Sequence, residues 1–293
     1  MDCDSAINSP FPPLENFDLH NHSNASDGLL PPAEVIRLAQ QGKCDAVALT
    51  DHDTTSGLEE AANMANLLGM RFIPGIEISV SWRADSLNTT LHIVGLGIDR
   101  QNKILQDGLS AVREGRWGRA QQIGADLEQA GIHGAFEGAC ANAENKEMIG
   151  RTHFARYLVE TGVAKSIANV FDRYLAKGKP GYVAHEWAAL ADAIAWIRHA
   201  GGVAVLAHPG RYKITEESMR ELIEEFRSSG GEAIEVVTGS HQPHQFRQYA
   251  ALAKEFNLLA SRGADFHGLD ESYYKPGTLP SLPAGLTPVW TIL

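Results

Sequence analysis

Two imidazoles and two carboxylates fall within ten residues at Asp18, His20, His22 and Asp27. In an extended chain, residues i and i+2 point to the same side. His20 and His22 therefore face one way together, as two ligands of one metal ion should. Asp27 follows a short turn through Ser26, close enough to serve a neighbouring ion. A His-X-His pair alone is common and carries little weight. Its weight comes from further candidates downstream: His52 between Asp51 and Asp53, then Glu77, His92, His208, Asp265 and His267.

The elements that must position these groups follow from the pattern of apolar runs. Short β-branched or apolar stretches at residues 16–19, 46–50, 71–81, 90–98, 203–207, 233–237 and 258–261 read as seven strands. Helical segments are expected at 31–41, opened by prolines in the first turn, and at 58–68, capped by Thr55 or Ser56 and ended by Gly69. Further helices are expected at 187–199, 216–228 and 242–256. The polar link at 82–89 is too short for a crossover helix, so the third and fourth strands are expected to be antiparallel, which brings His92 near Glu77. Residues 100–190 lose the strand rhythm and read as a helical insertion, with helices at 102–130, 152–160 and 165–175. The expected fold class is α/β: a seven-stranded barrel built from residues 16–99 and 191–293, with a small α-helical cap domain at 100–190 and a flexible leader at 1–15.

On this plan His20, His22, His52, His208, Asp265 and His267 all stand at or just past the C-terminal ends of strands. In βα barrels that is where active sites form, because the βα loops converge there. Imidazoles mixed with carboxylates, without a nearby thiol, suit two or three divalent ions, with Mn²⁺ the first expectation and Zn²⁺, Fe²⁺ or Co²⁺ as alternatives. Such clusters activate water and stabilise both oxygens of an in-line phosphoryl displacement. A GxSxG elbow, a Cys/His signature and a P-loop are all missing.

Composition narrows the classes. A net charge of −11 argues against broad nucleic-acid binding and against stable binding of duplexes. The charge is uneven: residues 100–190 carry twelve Lys/Arg against ten Asp/Glu, so the acidity resides in the rest of the chain. A near-neutral segment with arginine clusters, on an acidic body, suggests one part for metals and another for an anionic ligand. Apolar runs are strand-sized, so no membrane span is expected, and the first fifteen residues do not read as a signal peptide. Cys3, Cys44 and Cys140 are odd in number and widely spaced, which predicts reduced thiols and a cytoplasmic protein.

The segments DLHNHSNASDG, ALTDHD, PGIEIS, LHIVGLG, VLAHPGRY and GADFH, in this order, resemble the motifs of the PHP (polymerase and histidinol phosphatase) family. The resemblance covers nearly all of residues 16–99 and 200–268 and implies a distorted seven-stranded barrel with up to three divalent metals. Carried over residue by residue, it implies a first ion held by His20, His22, Glu77 and Asp265. It implies a second held by Glu77, His92 and His208, and a third by Asp27, His52 and His267. Many relatives have histidine where this chain has Asp27. Asp18 is expected to support the ligands rather than to bind.

Within the insertion, VREGRWGRA, IGRTHFARYLV and FDRYLAKGKPGYV resemble the subgroup of nucleoside 3′,5′-bisphosphate phosphatases, which overlaps with the RNase AM type. That implies removal of the 3′-phosphate of pAp, leaving 5′-AMP, by attack of a metal-activated hydroxide. A second phosphate needs its own cationic clamp. Arg151 with His153 is the first candidate, Arg211 and His241 could add contacts near the cluster, and Lys177 and Lys179 are weaker ones. His241 is also a candidate proton donor to the leaving group. Arg113, Arg116 and Arg119 share one helical face, open both to solvent and to an anion. His133, His185, His199 and His244 read as ordinary histidines. One rival is a 5′–3′ exoribonuclease on short RNA using the same cluster; another is a non-catalytic binding module that metals stabilise.

Overall fold

The computed structural model describes residues 16–84 and 87–293; the expected leader at 1–15 lies outside the described residues. The strands are β1 (Phe17–Asp18), β2 (Ala46–Leu49), β3 (Arg71–Ala84), β4 (Leu87–Leu96), the two-residue β5 (Ala188–Ala189), β6 (Val203–Leu206), β7 (Ala233–Thr238) and β8 (Leu259–Gly263). Seven of them follow one path, β1-β2-β3-β4-β6-β7-β8, with β5 added to β3 off that path. Along this path β4 is antiparallel to both neighbours and the other pairings are parallel.

The ends of the path meet. The Leu19 N–H donates to the Arg262 carbonyl at 3.0 Å, Asp265 to His20 at 2.8 Å and His22 to Phe266 at 2.8 Å. Gly263 permits this approach, since a Cβ there would lie 2.3 Å from that of His20. The result is a nearly closed, distorted barrel.

Strand alternation sorts side chains into two layers. Val47 and Leu49 join the apolar layer under the outer helices, whereas Ala46 and Ala48 join a second cluster with Phe17 and Val205. Trp290 stacks on Phe17 with ring centroids 4.6 Å apart, at the end of β1 away from the histidines. Outside lie α1 (Pro32–Gln41), α2 (Leu58–Leu68), α7 (Leu190–His199), α8 (Glu216–Ser228) and α9 (Pro243–Glu255). In α8 the stripe Met219, Leu222, Ile223 and Phe226 is buried at helical spacing, and Thr215 caps the start by accepting from the Ser218 N–H at 3.1 Å.

Three local expectations are corrected. The link expected at 82–89 is largely strand, because β3 and β4 stay paired out to Ala84 and Leu87. The helix expected from Trp187 begins at Leu190, since the Trp187 N–H donates to Ser81 Oγ at 2.8 Å and Ala188 pairs with Val80. Neither Thr55 nor Ser56 caps α2, whose N-cap is Gly57; Gly69 ends it in the left-handed conformation.

Between β4 and β6 run α3 (Lys103–Gln129), α4 (Ala135–Ala141), α5 (Arg151–Glu160) and α6 (Ile167–Val170), the last continuing into a π-helical turn, Phe171–Leu175. These helices share an apolar cluster of their own, including Ile123, Leu127, Phe154, Leu158 and Leu175. Leu105 and Leu109, near the start of α3, pack instead with the barrel's outer layer. The seven-residue α4 is not anticipated by the apolar pattern.

Candidate active site

Glu77 is the hub. It sits fully buried on β3, and its Oε1 lies 2.8 Å from His208 Nε2, 3.0 Å from His92 Nδ1 and 3.3 Å from His20 Nε2. Its Oε2 lies 2.9 Å from His52 Nδ1 and 3.3 Å from His22 Nε2. One carboxylate thus faces five imidazoles delivered by β4 and the segments following β1, β2 and β6.

The remaining candidates close around it. Asp265 Oδ1 is 3.4 Å from His22 Nε2 and 3.6 Å from His20 Nε2. Asp27 Oδ1 is 3.3 Å from His267 Nε2, 3.8 Å from His52 Nε2 and 4.0 Å from His22 Nδ1. Four overlapping groups emerge: His20, His22 and Asp265; His20, Glu77 and His208; His52, Glu77 and His92; and His22, Asp27, His52 and His267. All nine sequence-predicted ligands belong to at least one of them.

Donor chemistry and spacing fit divalent cations. Ligand atoms about 2.1 Å from a shared ion lie roughly 3.0–3.4 Å from one another, close to most separations in the cluster. The Nε2 atoms of His20 and His22 face each other at 3.0 Å, and His92 Nδ1 faces His208 Nε2 at 3.3 Å, so ring nitrogens converge on the same space. Buried Glu77 Oε2, Asp27 Oδ1 and Asp265 Oδ1 make no hydrogen bond of acceptable geometry. Burial alone would raise the carboxyls of Glu77, Asp27 and Asp265, but the imidazoles around them prevail and hold all three well below the usual range. Desolvation pushes His208 down to about 3 and also lowers His92.

The chain orients these rings from behind. Glu235, on β7, accepts from His20 Nδ1 at 2.8 Å, which leaves the Nε2 lone pair directed at the cluster. Its other oxygen accepts from the His208 N–H at 2.6 Å. His267 donates from Nδ1 to the Asp265 carbonyl at 3.0 Å, freeing its Nε2 towards Asp27. Asp51 accepts from Ser23 N–H, Ser23 Oγ and Ser26 Oγ at 2.6–2.7 Å and fixes the turn that carries Asp27. Asp18 accepts from the Ala264 and Gly277 N–H groups and tethers β1 to β8, outside the four groups. Asp53, His208 and Asp265 have positive φ (47°, 26° and 51°), a strained conformation for such residues that the surrounding contacts hold. Glu235 is absent from the sequence-predicted set, although a single carboxylate inside the buried run Ala233–Thr238 is a readable signal.

A cavity of about 910 Å³ opens above the cluster, bounded by the barrel mouth and the helices between β4 and β6. Arg116, Arg119, Arg151, Arg156, Lys165 and Arg211 contribute to its lining. Arg116 and Arg119 lie over the Trp187 ring at 4.7 and 5.3 Å, and Arg151 over Phe171 at 5.5 Å. Burial, with Arg151 and Arg116 alongside, lowers the Arg119 guanidinium to about 9, so it stays charged at neutral pH. Arg211 pairs with Asp265 at 3.1 Å and is half exposed. Arg113 and Arg116 do not form a solvated face: Arg113 donates to the Asp53 carbonyl at 2.8 Å, and buried Arg116 pairs with the Asp53 carboxylate.

Four candidate substrate or acid–base residues lie elsewhere. His153 is buried, accepts at Nδ1 from the Gly150 N–H at 3.1 Å and is pushed by desolvation to about 4; it caps α5 as a neutral ring. His241 is buried against Tyr249, donates from Nδ1 to the Val236 carbonyl at 3.2 Å and accepts at Nε2 from the Gly210 N–H at 2.9 Å. Desolvation brings it to about 4, so it has no proton to give near neutral pH. Lys177 and Lys179 are exposed and are not among the cavity's lining residues.

The PHP domain model matches residues 18–239. A 3′,5′-nucleoside bisphosphate phosphatase of Chromobacterium violaceum is 49% identical over 94% of this chain and 96% of its own. The 5′-3′ exoribonuclease Rnm of Escherichia coli is 42% identical over 94% of this chain and 93% of its own. A solved structure of an amidohydrolase from Chromobacterium violaceum, with bound sulfate and no metal, superposes with a TM-score of 0.90 at 48% identity, covering 94% of this chain and 95% of that one. The histidines and carboxylates brought together at the barrel mouth are therefore those of a chain that belongs to the PHP domain family.

Proposed function

We propose that this chain is a metal-dependent phosphomonoesterase that removes the 3′-phosphate of nucleoside 3′,5′-bisphosphates, converting pAp to 5′-AMP and phosphate. One observation carries the reading: a single cavity joins the Glu77-centred cluster to a wall of guanidinium groups. A substrate with two separated phosphates matches a site with two separated regions for anions. The 49% identical 3′,5′-nucleoside bisphosphate phosphatase of Chromobacterium violaceum supports the same substrate class.

His20, His22, Glu77 and Asp265 would hold a first cation, Glu77, His92 and His208 a second, and Asp27, His52 and His267 a third. Mn²⁺ is the first choice for an imidazole–carboxylate set without thiolate. Bound divalent cations supply Lewis acidity at the phosphoryl oxygens and lower the pKa of water. Arg151 and Arg119 bind the distal 5′-phosphate, with a bidentate geometry that lysine does not reproduce. Arg211, at the edge of the cluster, orients the phosphate to be cleaved. Residues 100–190 act as a cap that shields the reacting groups from bulk water. The free thiols Cys44 and Cys140 suit a reducing, cytoplasmic setting.

A second reading, 5′–3′ trimming of short RNA, is favoured by the cavity's volume, near the upper end for small-molecule sites, and by the 42% identical exoribonuclease. Phosphate and nucleotide release from pAp, 3′-AMP and 5′-phosphorylated dinucleotides, with Mn²⁺ and then with chelator, tests both. The expected result is metal-dependent turnover of pAp with a higher kcat/KM than 3′-AMP. Rapid release of 5′-mononucleotides from dinucleotides, with pAp untouched, would sink the phosphatase reading.

A further inference from the structure

The helices between β4 and β6 do more than wall the cavity. They clasp the barrel at points beside ligands of one group, His22, Asp27, His52 and His267. On α5, Arg156 donates to the Asp27 carbonyl at 2.6 Å. The same guanidinium forms a two-pronged pair with Glu271, at 2.8 Å through each of two nitrogens, four residues past His267. On α3, Arg113 and Arg116 hold the carbonyl and the carboxylate of Asp53, which follows His52. Asn145 donates to the Ala25 carbonyl at 3.1 Å, in the turn that delivers Asp27. His20 and His208 are held instead by Glu235 of β7.

We infer that Arg156, supported by Arg113 and Arg116, is a positioning residue that makes cation binding at the outer group His22, Asp27, His52 and His267 depend on the helical segment. Asp27 and His267 lie on segments outside the sheet, and their side chains are 12% and 18% exposed. Ordering such segments carries an entropic cost that β-ladder hydrogen bonds do not offset. Asp51 holds the start of the Asp27 turn and the Leu29 N–H holds the His267 carbonyl at 2.7 Å. Arg156 adds the restraint that ties both segments to the helices, because its planar fork fixes direction as well as distance and its side chain is 6% exposed. By linkage the coupling is reciprocal. A cation in the outer group holds α3 and α5 against the barrel, and with them Arg119 and Arg151 of the cavity wall. Cation and distal anion would then favour each other with no contact in common.

This inference rests on the cluster binding cations, as in the proposed function, but not on the substrate. Equilibrium dialysis of Mn²⁺ against the full chain tests it, with wild type, Asp27→Ala, Arg156→Ala, Arg156→Lys and Glu271→Gln compared. Asp27→Ala identifies the binding event that belongs to the outer group. Arg156→Ala is expected to weaken that event by about 10–100-fold while the others stay within about threefold, and Arg156→Lys to restore it only in part. Glu271→Gln, which keeps the shape of the clasp, should weaken the same event more mildly and serves if Arg156→Ala does not fold. An outer event unchanged in Arg156→Ala or Glu271→Gln, equal weakening of every event, or an isotherm indifferent to Asp27→Ala would each overturn the inference. Failure of the phosphatase reading would appear separately, as Mn²⁺ isotherms of the expected form with no phosphate released from pAp.

Discussion

Two halves of one candidate ligand cluster are built in different ways. Glu77 and His92 stand on paired strands, and His20 and His208 are oriented by Glu235 from within the barrel. Asp27, His52 and His267 sit nearer to solvent, and the contacts behind them come partly from helices inserted between β4 and β6. The inner half takes its geometry from sheet register, which a point change outside the sheet hardly moves. The outer half adds to its backbone bonds, such as Asp53 N–H to the Glu77 carbonyl at 2.9 Å, side-chain cross-links that a single substitution can cut. Chemistry anchored in the sheet and adjustment anchored in the insertion can therefore vary separately within one family.

The comparison breaks most visibly at the hub. Glu77→Gln removes the one carboxylate facing five imidazoles, and activity on pAp should fall by about 10²–10³-fold or more, read as kcat with Mn²⁺ in excess. Retention of kcat within threefold would show that the two halves do not share a centre.

Next comes Arg116→Met, which leaves the Asp53 carboxylate buried and without its guanidinium; loss of one partner of a buried pair costs about 3–5 kcal/mol. Burial would raise the Asp53 carboxyl, yet Arg116 outweighs it and holds the carboxyl below its ordinary value. Its contribution is therefore complete at neutral pH and is lost as acid titrates the group. The stability gap in urea melts should be widest near pH 7 and narrow below about pH 4. A gap independent of pH would count against the pair.

Glu235→Gln sharpens the contrast from the inner side. It should weaken Mn²⁺ binding by about 10–100-fold through His20, with the cavity wall untouched. Arg151→Ala is smaller and differs in kind. KM for pAp should rise about tenfold while 3′-AMP, which lacks the distal phosphate, is little affected. Equal effects on both substrates would remove Arg151 from the clamp. Smallest is His241→Gln: a ring at about 4 is neutral across the working range, so the shape of the kcat–pH profile should be unchanged.

How much of this the sequence discloses follows from what each residue depends on. The convergence of the nine candidate ligands is legible because strand–helix alternation fixes where each strand stops, and polar groups clustered at those stops have few structural reasons to be there. Glu235 is legible by the same logic, as a lone acid within a buried strand. His153 and His241 read as candidates because each stands beside promising neighbours, yet burial and a backbone partner at the ring nitrogen are products of tertiary packing. Arg156 is hidden for a related reason. Both Arg151 and Arg156 border the cavity, and only the docking of α5 on the barrel shows that Arg156 also reaches the Asp27 carbonyl and Glu271. The extension of β3 to Ala84 and the start of β4 at Leu87 escape notice because polar residues such as Arg83 and Asn88 are exposed on the paired ribbon.

The seam between β1 and β8 has a consequence for the life history of the chain. Two of the three backbone bonds that shut the barrel there belong to His20, His22 and Asp265 themselves, and Asp18 reaches across 246 positions to the Ala264 N–H. Contacts of such span are late to form, because loop closure must precede them. A polypeptide still emerging during synthesis, with β8 not yet made, carries histidines but no assembled centre. Hydrolytic competence should therefore switch on in one step, at the final docking of last strand on first, and nascent chains should be harmless to the nucleotides around them.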